Sequence, residues 1–189
     1  AGATVTKSFL IIRNKPLATT PADTLAIEDA LIEPQSDMWL NEGDVLEVQI
    51  KGTPNCVATF MNGTVMPEVP KSEAYGLEGV YRGTYKVMSN DTLTHQPITF
   101  RLEGKDGTAV TKTSRARISF KPHDFPLVGV TKGERVYLDF GLGEDRLGGA
   151  KFSFIQEGIR LAITGKVGGR YRVKLTENQE AWIPEDQLQ

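Results

Sequence analysis

Hydrophobic and polar residues alternate with a period of two along much of the first 120 residues, as they do in strands that bury one face. The clearest case is Asp44–Lys51, with one apolar and one polar side: Leu46, Val48 and Ile50 inward, and Glu47, Gln49 and Lys51 outward. Further strands are predicted at Ser8–Arg13, Val57–Phe60, Val80–Val87, Pro97–Glu103 and Thr108–Phe120. About seven strands with turn residues between them predict an antiparallel sandwich over residues 1–121.

The alternation returns in shorter strands over residues 128–189. They are predicted at Arg135–Phe140, Lys151–Ile155, Ile159–Thr164, Tyr171–Leu175 and Ala181–Pro184. The inward residues of the first and third would be Val136, Leu138 and Phe140, and Ile159, Leu161 and Ile163. In the fourth, Arg172 and Lys174 would face solvent. Five short strands, with a glycine-rich loop after the first, predict a small and partly open barrel.

Two segments connect or interrupt these patterns. Residues 122–127 carry Pro122 and Pro126 and predict a stiff linker between sandwich and barrel, because each proline pushes the preceding residue toward extended geometry. The run Thr24–Leu31 fits either a short helix or a strand. Trp39 precedes a Gly-Asp turn and is expected to cap the sandwich.

Composition narrows the range of possible functions. The 22 basic and 24 acidic side chains give a net charge of −2, which argues against a nucleic-acid binder held by phosphate contacts. The sequence has no run of 18 apolar residues, so no membrane-spanning segment is predicted. One cysteine excludes an internal disulfide and a Cys-based zinc site. His95 and His123 lie in different segments, so we expect no catalytic residues, no metal and no cofactor.

For two features that could indicate a functional site, we favour a purely structural explanation. The glycine-rich loop 141–149 would need a following helix to cradle a phosphate, but Lys151–Ile155 has a strand pattern. Cys56 has no histidine near it in sequence and is expected to be a small buried hydrophobe.

The chain begins Ala1-Gly2-Ala3, with no initiator Met and no signal peptide, as a processed secreted protein or an excised fragment would.

Several stretches carry a resemblance to known families. Gly168–Leu175 (GGRYRVKL) and Ala181–Pro184 (AWIP) resemble the last strands of bacterial SH3-like domains. The chain also resembles the non-catalytic N-terminal region of certain bacterial N-acetylmuramoyl-L-alanine amidases, through three stretches: Trp39–Asp44 (WLNEGD) leading to Lys51–Pro54 (KGTP), Gly79–Tyr85 (GVYRGTY) and Asp145–Lys151 (DRLGGAK). The resemblance implies an all-β fold, with an antiparallel Ig-like sandwich followed by a small SH3-like barrel.

Such amidases cleave the bond between the lactyl group of the sugar and the first amino acid of the peptide stem, with a zinc ion held by His and Glu. No residues here match that zinc domain, so what the resemblance implies is an accessory role. The expected partners are peptidoglycan or its stem peptide and a downstream amidase domain, in the periplasm or outside the cell. The alternative is a structural module that contacts the amidase domain or another envelope protein and never binds the wall.

The barrel carries the candidate ligand residues. Tyr137 lies between Val136 and Leu138 and is predicted to face outward, where an exposed ring beside an acidic loop would suit a peptide stem carrying amines. That loop holds Glu144, Asp145 and Arg146, which would form a polar rim or, equally, a local ion pair. SH3-like barrels place aromatic residues at the positions of Tyr171 and Trp182, in the core or in the ligand groove. Alternation favours the core for Tyr171. The predicted ligand-binding set is Tyr137, Glu144, Asp145, Arg146 and Trp182.

Overall fold

Nearly all the regular structure is β-strand. The computed structural model describes residues 20–21, 23–120, 127–142 and 150–189, and in these ranges the regular elements are strands and one 3₁₀ turn, Glu185–Gln187. The all-β prediction is therefore confirmed. The strands are β1 Met38–Leu40, β2 Val45–Lys51, β3 Val57–Phe60, β4 Thr64–Met66, β5 Val80–Lys86, β6 Leu93–Glu103, β7 Ala109–Phe120, β8 Leu127–Val130, β9 Val136–Asp139, β10 Lys151–Ile155, β11 Arg160–Val167, β12 Arg170–Thr176 and β13 Gln179–Pro184.

Two sheets face each other in the first half. Strands β2 and β5 pair antiparallel over their full length, and β7, β6, β3 and β4 lie side by side in the opposing sheet. Their inner faces share one apolar core, whose largest contributors are Leu46, Ile50 and Tyr81 from the first sheet and Phe60, Phe100, Leu102 and Ile118 from the second. Gly83 leaves space between them, because a Cβ there would lie 2.7 Å from Phe60.

Local sequence pattern placed several of these elements correctly. Strands β3 and β10 have the predicted bounds, and the hairpin after β3 turns at Asn62 and Gly63, both with positive φ. Residues 24–31 form no helix. Instead, Ile27 bridges Gly52 and Glu33 bridges Gln49, so the segment runs beside β2.

Lys51 is a correction to the alternation of β2. It was expected to face solvent, but its side chain is fully buried and forms an ion pair with Glu28. The cause is the neighbouring segment: the Glu28 N–H donates to the Lys51 carbonyl at 2.8 Å, which brings the Glu28 carboxylate over this end of the strand. Thr20 also donates a hydrogen bond to Glu28.

Strand β1 joins the two halves in one large sheet, ordered β10-β9-β13-β12-β11-β1-β7-β6-β3-β4, with β8 also paired to β11. On one side β1 runs parallel to β7, with Met38 opposite Ile118. On the other it runs antiparallel to β11, with Met38 opposite Val167. Hydrogen bonding between strands therefore continues from the sandwich into the second half.

The second half has its own buried cluster, formed by Val136, Leu138, Ile163, Val173, Ala181 and Ile183. Two residues predicted to join it do not: Phe140 is 69% exposed and Ile159 is 44% exposed. Phe140 lies one residue beyond β9 and Ile159 one residue before β11, so strand alternation no longer fixes where they point. The domain division stays a prediction. Of its linker, 122–126 lie outside the described residues and Leu127 begins β8.

Candidate ligand-binding surface

Tyr137 is exposed, as predicted, and has an aromatic partner. Its neighbours Val136 and Leu138 are buried, which turns the Tyr137 side chain to the outer face of β9, where 37% of it is accessible. Phe154 lies directly opposite on β10. The two ring centroids are 6.3 Å apart with planes at 63°, an edge-to-face geometry that aromatic pairs favour.

A second ring pair occupies the far end of the same hairpin. Phe140, just after β9, and Phe152, on β10, have centroids 6.1 Å apart. Both rings are exposed. We call Tyr137, Phe140, Phe152 and Phe154 the aromatic patch. Exposed aromatic rings concentrated in this way are unusual on a soluble monomer and typical of a binding surface.

Two cations lie on the rings of the aromatic patch. The Lys151 ammonium is 4.1 Å from the Tyr137 centroid, and the Arg135 guanidinium is 5.3 Å from that of Phe154. Such contacts hold long basic side chains flat against aromatic rings. Among the described residues neither cation has a carboxylate partner. The patch therefore combines apolar ring faces with positive charge.

Trp182 lies on the same face of the sheet as Tyr137. Its neighbours Ala181 and Ile183 are buried, so the Trp182 ring points outward and is partly exposed. It stands opposite Asp139 of β9, two residues after Tyr137, so the two rings are diagonal neighbours. Asp139 forms an ion pair with Arg170 of β12, the strand on the far side of β13. The structure thus brings Tyr137 and Trp182, 45 residues apart in sequence, into one region.

The other three predicted residues, Glu144, Asp145 and Arg146, lie outside the described residues. Their loop connects β9 to β10, the two strands that carry the aromatic patch. At its base the Phe140 N–H donates to the Ala150 carbonyl at 2.7 Å.

Sequence analysis missed Phe152, Phe154 and Lys151. The pattern KFSFI at Lys151–Ile155 was used only to predict a strand. Two phenylalanines at alternate positions should also have indicated an aromatic strand face, and Lys151 beside them a cation within reach of it. Which residues of β9 they meet depends on the register, which shifts between Lys151 and Ser153.

The described residues also include the thiol of Cys56 and the side-chain types that can bind metal ions. Burial raises the pKa of the Cys56 thiol, with a further contribution from the charge of Glu68. The Cys56 Sγ lies 3.6 Å from the Pro54 carbonyl. No group of three or more His, Cys, Asp or Glu side chains in the described part could hold a metal ion, and His123 lies outside that part. No helix in the described ranges is long and apolar enough to cross a membrane.

Comparison with known proteins gives no relative: no protein-family model, no curated protein and no solved structure matches this chain. The resemblance to the amidase region therefore stays a prediction from the quoted sequence stretches.

Proposed function

We propose that this chain is a non-catalytic accessory region of a cell-wall amidase and that it holds the enzyme on peptidoglycan in the bacterial envelope, in the periplasm or outside the cell. One observation supports the proposal most: the aromatic patch with Lys151 and Arg135 on its rings. The sequence resemblance supplies the wall context, and the patch supplies a surface suited to a wall polymer.

The chemistry of the patch matches that of peptidoglycan. The apolar faces of sugar rings pack against exposed aromatic rings, and the free carboxylates of stem peptides can pair with Lys151 and Arg135. The amine-bearing ligand considered from the sequence fits less well, because the Lys151 ammonium already lies over the Tyr137 ring and would repel a second cation there. We therefore propose that the acidic groups of the stem peptide contact this surface.

The test is retention on purified, protein-free peptidoglycan sacculi, measured by sedimentation over a range of protein concentrations. We expect the double substitution Tyr137→Ala and Phe154→Ala to weaken binding at least about tenfold, since central aromatic side chains dominate binding surfaces. Tyr75→Ala is the matched control. Tyr75 is 97% exposed and lies in the sandwich half, so its loss should leave retention unchanged.

A charge variant separates the two parts of the surface. Lys151→Gln should weaken retention less than removal of the rings, and the difference from wild type should shrink as salt is raised. Absence of retention by the wild-type chain at low and moderate salt, or equal retention by the ring-deleted variant, would refute the wall-binding proposal.

The second candidate is a module that binds the amidase catalytic domain or another envelope protein and not the wall. The same patch supports it, because aromatic residues and Arg are enriched at protein interfaces. Titration of the chain with a separately purified amidase domain, followed by calorimetry, distinguishes the two. Saturable binding that requires Tyr137 and Phe154, together with no retention on sacculi, would favour this candidate.

A further inference from the structure

The connection between the two halves is made by residues 37–44 and not only by the covalent chain. In this segment the backbone of β1 pairs with β11, with Trp39 opposite Lys166. The Gly168 N–H extends the contact by donating to the Asp37 carbonyl at 2.8 Å. Because β1 also pairs with β7, the same three residues are an interior strand of the large sheet.

Polar side chains secure one side of this connection. The two terminal nitrogens of Arg172 donate to the two carboxylate oxygens of Asp44 at 2.9 and 2.7 Å. Two further Arg172 N–H groups donate to Thr164: one to its carbonyl at 2.8 Å and one to its hydroxyl at 3.1 Å. The Asn41 amide donates to the same carbonyl at 2.6 Å. Arg172 was predicted to face solvent. Its side chain is instead largely buried between the two halves, because it pairs with Asp44 of the first half.

Aromatic side chains secure the other side. The Trp39 ring, expected to cap the sandwich, lies 5.8 Å from the Tyr171 ring of the second half. The Lys166 ammonium sits between them, 5.1 Å from the Trp39 centroid and 5.0 Å from that of Tyr171. It is held there by Glu185, whose carboxylate lies 2.7 Å away and also accepts a hydrogen bond from the Tyr171 hydroxyl.

We infer that residues 37–44 are a segment shared by both halves: the second half keeps its native structure only while docked on this segment, and the two halves act as one rigid body. A unit of about 60 residues buries a smaller share of its surface than a larger domain does and is marginal alone. Without residues 37–44 its β11 edge would lose the β1 strand, the Arg172 guanidinium would lose the Asp44 carboxylate, and the Tyr171 ring would be uncovered. This holds whatever the aromatic patch binds.

The inference predicts that the halves stay together when the covalent link is cut. A recognition sequence for a site-specific protease is inserted between His123 and Asp124 of the full chain, and the folded protein is cleaved. We expect the two pieces to co-elute as one species in size-exclusion chromatography at micromolar concentration, and to unfold in one thermal transition. Separation of the wild-type pieces at that concentration would overturn the inference.

A variant shows which contacts hold the pieces. Arg172→Met combined with Trp39→Ala should raise the dissociation constant of the cleaved pieces at least about tenfold. Lys174→Met is the matched control, since Lys174 lies on the same strand, is exposed and should leave the constant unchanged. Near-ultraviolet circular dichroism of the uncut variant checks that it folds. Two separate thermal transitions in the uncut wild-type protein would also contradict the inference.

Discussion

The guanidinium of Arg172 donates hydrogen bonds to both carboxylate oxygens of Asp44, a residue 128 positions earlier in the chain. This bidentate contact depends on the planar fork of the guanidinium, which lysine lacks. Two further Arg172 N–H groups donate to the carbonyl and the hydroxyl of Thr164, and the Glu180 carboxylate lies 3.3 Å from Nε, so most of the guanidinium is hydrogen-bonded in its partly enclosed site.

Arg172→Lys should therefore destabilise the protein, although it preserves the charge. We expect a loss of about 1–2 kcal/mol in the free energy of unfolding, and about 3 kcal/mol for Arg172→Met, which leaves Asp44 without its cation. Urea denaturation at pH 7 measures both. Lys174→Arg on the same strand is the control and should change the free energy by less than about 0.5 kcal/mol. A lysine variant as stable as wild type would show that the fork contributes nothing.

The ion pair between Glu28 and Lys51 should respond unequally to removal of its two members. Lys51 is fully buried, whereas the Glu28 side chain is 28% exposed. Glu28→Ala removes the carboxylate that pairs with a buried ammonium and should cost about 3–5 kcal/mol, while Lys51→Met leaves a carboxylate that water can reach and should cost less. Paired urea titrations of the two variants decide this. An equal or reversed order would contradict the assignment of the burial penalty to Lys51.

The same pair predicts acid sensitivity. Burial alone would raise the pKa of Glu28, but hydrogen bonds from Lys51 and Thr20 and the positive charges of Lys51 and Lys112 outweigh it, so the pKa falls below its ordinary value of 4.5. A carboxyl whose pKa is lower in the folded state contributes stability above its unfolded pKa and loses it as the pH falls through the folded pKa. The free energy of unfolding, followed from pH 6 down to pH 3, should fall less steeply in Glu28→Gln. An unchanged slope would refute this.

Gly79 should tolerate no side chain. Its φ is +71°, and a Cβ there would lie 1.9 Å from the Gly52 carbonyl oxygen. Gly79→Ala should cost about 3 kcal/mol or more, from backbone strain and from a clash with main-chain atoms that cannot rotate away. Gly76→Ala separates the two causes, because Gly76 has a φ of +82° but open space around it. It should cost about 1 kcal/mol. Equal melting temperatures for the two variants would show that the clash is relieved.

The local pattern of hydrophobic and polar residues predicted most of the strands, because alternation can be recognised within a short run of neighbouring residues. Strands β2, β3 and β10 appear where it is strongest. Strand β1 was missed because three residues, Met38–Leu40, are too few to show a period. Lys51 and Arg172 were placed wrongly for another reason: the acids that draw them inward lie 23 and 128 residues away, and no window along the sequence contains both partners.

For the candidate surface, alternation was sufficient to turn Tyr137 outward but not to find the rings around it. Phe154 meets Tyr137 only through the register of β9 and β10, which a long connecting loop and a shift between Lys151 and Ser153 leave undetermined in the sequence. Phe140 was placed in the core because the strand was expected to run one residue further than it does. The surface is thus defined by pairing between strands.

The position of β1 has a consequence for how the protein is made. Its partner residues Lys166 and Val167 are translated more than 120 residues after Met38 and Trp39. At typical synthesis rates of about 5–20 residues per second, one edge of β1 waits for several seconds on the ribosome with no strand to pair with. During that time the nascent sandwich presents an unpaired strand edge of the kind that recruits other chains. Nascent chains that stop before residue 167 should therefore depend on chaperones more than the completed chain does.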